Sequence, residues 1–155
     1  MSLKLLKKKN YLTMIENAAK GENWMFRNQY FEVDGKETDV LENGGLSCAM
    51  FLSSVLYLNK LIGDIHTTVV GTEKDMLESG WFEIKDLEPG AVIIWEQKLG
   101  DKDGLPHYHN GFYIGSNMAI SNNSKDTGFP WKHHYTYNNT RKIEKIYWHP
   151  VLDEE

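Results

Sequence analysis

Apolar positions fall at approximately helical spacing at the start of the chain. Leu5, Tyr11, Leu12, Ile15, Ala18 and Ala19 predict a helix over 5–20, with Gly21 as its stop. Residues 22–45 follow neither the helical nor the strand period. They carry Trp24, Phe26, Tyr30 and Phe31, then the turn formers Asp34-Gly35 and Asn43-Gly44-Gly45, and they read as an irregular segment that could cover a cleft. Over 48–62 the positions Phe51, Leu52, Val55, Leu56, Leu58, Leu61 and Ile62 leave little polar surface, so this helix should be central. Ser47 suits its N-cap and Gly63 its end. A short helix is predicted from Thr72, with Asp75 three residues on in a capping-box position, ending at Gly80.

Beyond that point the period becomes two. Ala91–Glu96, Tyr108–Gly115 and Met118–Ser121 are strand-like runs separated by turn formers, and Tyr135–Tyr137 and Ile143–Trp148 are further candidates. Helices first and strands later predict an α+β domain with a mainly antiparallel sheet. No repeat, low-complexity tract or linker interrupts residues 1–155, so a single domain is expected.

Charge narrows the function classes. The formal net charge is −5, and Lys7-Lys8-Lys9 is the only basic run, which speaks against nucleic acid as the main partner. No run approaches the roughly 20 apolar residues of a membrane span, and Glu16 and Asn17 follow Met14-Ile15 too closely for a signal-peptide core. The expectation is a cytoplasmic protein; export by a non-standard route or a shortened chain are the alternatives. Oligomeric state is not readable. A single cysteine excludes an intramolecular disulfide.

That cysteine, Cys48, falls in the first turn of the central helix. Unpaired N–H groups and the helix dipole favour a thiolate there, and a backbone N–H can meet an oxyanion. The bland alternative is a buried structural thiol. Further on, Leu87-Glu88-Pro89-Gly90 feeds the strand Ala91–Trp95, and His109-Asn110-Gly111-Phe112-Tyr113-Ile114-Gly115 opens a hairpin. His109, Gly111 and Tyr113 share one face, and Gly111 would leave room beside the imidazole. His107, His66, His133-His134 and His149 match no Cys/His zinc spacing, so neither a metal nor a cofactor is expected.

The order of these features, Cys at a helix start, L-x-P-G before a strand and H-x-G-x-Y-I-G in a hairpin, resembles the NlpC/P60 superfamily and its CHAP-type relatives over residues 43–122. The resemblance implies a papain-like α+β fold and a thiol hydrolase that cleaves amide bonds, with peptidoglycan-derived peptides as the family default. It implies Cys48 as nucleophile, His109 as base and a polar third residue about a dozen positions later. A three-residue loop Gly115–Asn117 would pair Gly111 with Ser121 and His109 with Asn123. A two-residue turn Ser116-Asn117 would instead put Asn122 on the histidine's face. Ser121 is preferred, with Asn122 and Asn123 as alternatives.

Several residues depart from the family pattern. Leu46-Ser47-Cys48-Ala49-Met50 lacks the usual Asp before and Ser-Gly after the nucleophile, and Pro89-Gly90-Ala91 replaces Pro-Gly-Asp. The family's upstream Tyr has no clean match; Tyr30 is the candidate. Tyr30, Trp24, Asn122 and His133 are the candidate substrate contacts, for a peptide or muropeptide-like ligand. The rival reading is a catalytically inactive module that binds peptide or glycan in the same cleft.

Overall fold

The computed structural model describes residues 1–154. Helix α1 spans Lys7–Ala18 and buries Tyr11, Ile15 and Ala18. It starts later than the sequence predicts because Leu5 finds no apolar partner and stays exposed. The Tyr11 hydroxyl donates to the Gly90 carbonyl at 2.8 Å, and its ring meets Phe112 edge-on. That contact ties α1 to the Pro-Gly turn before the sheet.

The segment expected to be irregular contains a hairpin, β1 (Tyr30–Val33) and β2 (Lys36–Asp39). Asp34 and Gly35 both take positive φ at its turn, a backbone that Asp and Gly adopt at low cost. The central helix α2 covers Cys48–Leu58 and ends before 62. Lys60 turns left-handed and the Leu61 N–H returns to the Leu56 carbonyl, which ends the helix while keeping Leu61 and Ile62 buried. Helix α3 runs Val69–Glu78, starting before the predicted Thr72 because the Thr68 hydroxyl accepts from the Gly71 N–H. Asp75 does not close a capping box. Its carboxylate accepts from the Gly63 and Asp64 N–H groups and lies 2.6 Å from His66 Nε2.

Six antiparallel strands follow: β3 (Phe82–Ile84), β4 (Val92–Leu99), β5 (Pro106–Gly115), β6 (Met118–Asn122), β7 (Pro130–His134) and β8 (Ile143–Trp148). Their spatial order is β3-β8-β4-β5-β6-β7. The predicted strand Tyr135–Tyr137 is a turn instead. Tyr137, Asn138 and Asn139 all take positive φ, and the Thr136 and Asn138 N–H groups donate to His134 Nδ1. One sheet face, with Val92, Ile94, Phe112 and Ile120, packs on Phe51, Leu52 and Val55 of α2. Phe51 and Phe112 meet edge-on at 5.6 Å, each fully buried and each contributing about 2–3 kcal/mol by burial alone. The opposite face carries a smaller cluster of Ile93, Trp95 and Ala119. No helix among the described residues is long and apolar enough to cross a membrane.

Candidate active site

The sheet opens where the site lies. Tyr113 exchanges backbone hydrogen bonds with Ala91 and Gly90 on the β4 side, so by strand alternation Asn110 directs its N–H to the β6 side. There the β5–β6 ladder ends at Phe112 paired with Ile120. The freed Asn110 N–H points instead at the Cys48 thiol, at the first residue of α2. Ser47 holds the N-cap position, but its hydroxyl donates to the Arg27 carbonyl and does not cap the helix. Burial pushes the Cys48 thiol up, opposed by the N–H groups of Asn110 and Ala49 and by the Arg141 guanidinium. The lowering expected from the helix start is therefore outweighed by desolvation.

His109 is buried on the opposite face to Phe112, stacked on Trp95 with ring centroids 5.1 Å apart. Gly111 does not make its room beside the imidazole directly. A Cβ there would lie 2.7 Å from Ser121 Cβ and 2.9 Å from Trp95 Cζ3, so the glycine admits the indole and the serine that flank His109. Burial holds the imidazole well below its ordinary pKa, and the charges of Arg141, His133 and Lys125 add to that. His109 Nε2 lies 3.0 Å from Ser121 Oγ. The same oxygen lies 2.7 Å from His133 Nε2 and 2.9 Å from the Tyr137 hydroxyl. Cys48 and His109 are not hydrogen-bonded to one another, but both line one cleft of about 830 Å³.

The hairpin reconciles both turn expectations. Ser116 and Asn117, both at positive φ, make a two-residue turn closed by Gly115 and Met118. An extra residue bulges out between Tyr113 and Gly115, so Phe112 pairs with Ile120. That is the register of the three-residue loop, and it carries Ser121 to the histidine's face. Asn122 points elsewhere: its Nδ2 donates to the Gly44 carbonyl and to Ser124 Oγ, and its Oδ1 is buried without a partner among the described residues.

Asn122 and Asn123 line the cleft, but the other three candidate contacts do not. Trp24 packs on Arg27 and Phe129, and Tyr30 is exposed on β1, whose neighbours Gln29 and Phe31 line a separate depression of about 360 Å³. His133 is also absent from the cleft wall; it sits behind Ser121, with its ring stacked on Tyr137 at 4.1 Å. Sequence reasoning missed Tyr137 and Arg141. Both line the cleft, and Arg141 is fixed by donating to the Glu96 and His107 carbonyls. Tyr137 hides in a turn, and Arg141 carries no motif around it.

Among solved structures, the chain resembles NlpC2 from Trichomonas vaginalis with a TM-score of 0.53 over 94% of its residues. The chain has an NlpC/P60-like fold. It is 13% identical to that neighbour and spans 47% of its length, so the likeness is one of architecture. No protein-family model matches the sequence, and no curated protein does. Within this NlpC/P60-like fold, the start of α2 and strand β5 place Cys48 and His109 on one cleft, and Ser121 on β6 meets His109 from outside that lining.

Proposed function

We propose that the protein is a thiol hydrolase of amide bonds, with Cys48 as nucleophile, His109 as general base and Ser121 orienting the imidazole. The observation that carries this reading is the hydrogen bond between His109 Nε2 and buried Ser121 Oγ, which fixes a histidine on the cleft it shares with Cys48. Burial raises the Cys48 thiol and depresses His109, so the resting pair is a neutral thiol and a neutral imidazole. His109 Nδ1 takes the thiol proton as sulfur attacks the carbonyl, and the Cys48 N–H at the helix start meets the oxyanion. The imidazolium returns the proton to the leaving amine. Water, deprotonated by His109, then hydrolyses the thioester and frees Cys48.

The cleft suits a small peptide that carries carboxylates. Lys98, Lys102, Lys125 and Arg141 line it beside Glu42, Asp101 and Asp103, so its wall carries a small excess of cations although the chain as a whole has net charge −5. Peptidoglycan-derived peptides, which carry free carboxylates, fit that demand.

The test is a screen of acidic peptide amides, with intact-mass detection of an acyl group on Cys48. Cys48→Ala should abolish hydrolysis, and His109→Ala should lower it by about 10²- to 10⁴-fold. Because His109 titrates well below its ordinary value, activity should hold as pH falls through 6.5. Hydrolysis that survives Cys48→Ala would sink the reading. The raised thiol favours one rival, a cleft that binds such peptides without cutting them; saturable binding with no acyl-enzyme would establish it.

A further inference from the structure

We propose that His133 is a positioning residue that sets the tautomer of His109 through the Ser121 hydroxyl. The inference deepens the hydrolase reading and rests on it for its consequence in catalysis.

A single proton on the Ser121 hydroxyl decides the tautomer. His133 Nδ1 lies 2.8 Å from the backbone carbonyl of His134, which can only accept. Nδ1 must therefore carry a hydrogen. His133 is pushed down to about 4 by burial, which outweighs the opposing hydrogen bond to the His134 carbonyl, so the ring is neutral near pH 7. A neutral imidazole protonated at Nδ1 has a bare Nε2, and that atom lies 2.7 Å from Ser121 Oγ. The serine has one hydrogen, and it goes to His133. Its oxygen then has only lone pairs for its other two partners, His109 Nε2 at 3.0 Å and the Tyr137 hydroxyl at 2.9 Å. Both must donate. His109 consequently bears its hydrogen on Nε2 and keeps Nδ1 bare, the form a general base requires.

A serine alone would not enforce this. Its hydroxyl can turn and donate to His109 Nε2, which would move the imidazole hydrogen to Nδ1 and leave no lone pair for the thiol proton. His133 removes that freedom by holding the serine's hydrogen. Position also matters: His133 is buried in β7 opposite Ala119, stacked on Tyr137, and it makes no part of the cleft wall.

The experiment reads the tautomer directly, by nitrogen-15 NMR of histidine-labelled full-length protein near pH 7. In the wild type His109 should show a protonated Nε2 and a bare Nδ1. Tyr137→Phe should leave this unchanged, because His133 still takes the serine's hydrogen. Adding His133→Phe to Tyr137→Phe keeps the ring stack and leaves His109 as the serine's remaining partner. The His109 hydrogen should then populate Nδ1 as well as Nε2, and acyl-enzyme formation should fall relative to Tyr137→Phe in proportion to the base-competent tautomer lost. His133→Gln, whose side-chain oxygen can accept from the serine, should restore the wild-type tautomer. A wild-type His109 protonated at Nδ1, or a folded double variant with an unchanged tautomer, overturns the proposal. If the tautomer shifts as expected while no variant ever forms an acyl-enzyme, the relay stands and the hydrolase reading fails.

Discussion

At the scale of single residues, Gly111 shows what a small side chain does for a site it never touches chemically. Trp95 and Ser121 close on it from two sides, and each then contacts His109. Gly111→Ala must push the indole, the serine or the β6 backbone aside, and rigid neighbours make that costly. We expect a loss of about 1–3 kcal/mol of stability, measured by urea unfolding, together with slower acylation of Cys48. Ser121 was within reach of the sequence because the family resemblance asks for a polar residue about a dozen positions after His109, and one of the two possible hairpin turns places Ser121 opposite Gly111. The hydrogen bonds that give Ser121 its three partners were not. They depend on β7, whose Pro130 start and lack of alternation hid it as a strand, and on a tyrosine in a left-handed turn.

At the scale of elements, the start of α2 is held from outside the helix. Asn122, at the end of β6, donates to the Gly44 carbonyl, and the Leu46 N–H bonds the Leu41 carbonyl just before Cys48. Asn122→Ala removes a buried donor and leaves the Gly44 carbonyl unpaired, at a cost of about 1–3 kcal/mol. The effect should be local, so hydrogen exchange at the Leu46 amide should accelerate more than at amides within β4. The hairpin β1–β2 was within reach of the sequence, since Asp34-Gly35 between Tyr30–Val33 and Lys36–Asp39 is a strong two-residue turn signal. Its exposed strands lack the clean alternation of a buried face, and this concealed them. The N-terminus of α3 was misread because Thr68 and Thr72 offer the same chemistry, and only the fold decides which hydroxyl meets an N–H.

At the scale of the whole molecule, the α+β layout was readable because helical and strand periods occupy different halves of most of the chain. The same fold gives the protein a definite response to acid. His133 is held neutral at about 4, against about 6.5 in an unfolded chain, and His109 is depressed in the same direction. Between those values the unfolded state binds more protons than the folded one, so stability falls as pH falls from about 6.5 toward 4. His133 alone should cost the folded state about 3 kcal/mol across that window. Denaturation midpoints measured from pH 7.5 to 4 should decline in the wild type and decline less in His133→Phe. Equal slopes in the two proteins would contradict the buried, neutral state of this ring.

The lacing around Arg27 also bears on the order of events during synthesis. Arg27 donates to the Thr127 carbonyl and to Asn43, its own carbonyl receives Gly44 and Ser47, and Gly44 lies against Gly128. Contacts spanning 100 residues therefore fix the segment that delivers Cys48, and His109, Ser121 and His133 all emerge after it. Pairings of such long range form late in folding. A nascent chain that has made its thiol but not yet residue 127 lacks the lacing that fixes the segment before Cys48, so any reactivity that depends on the formed cleft is deferred until that residue has been made.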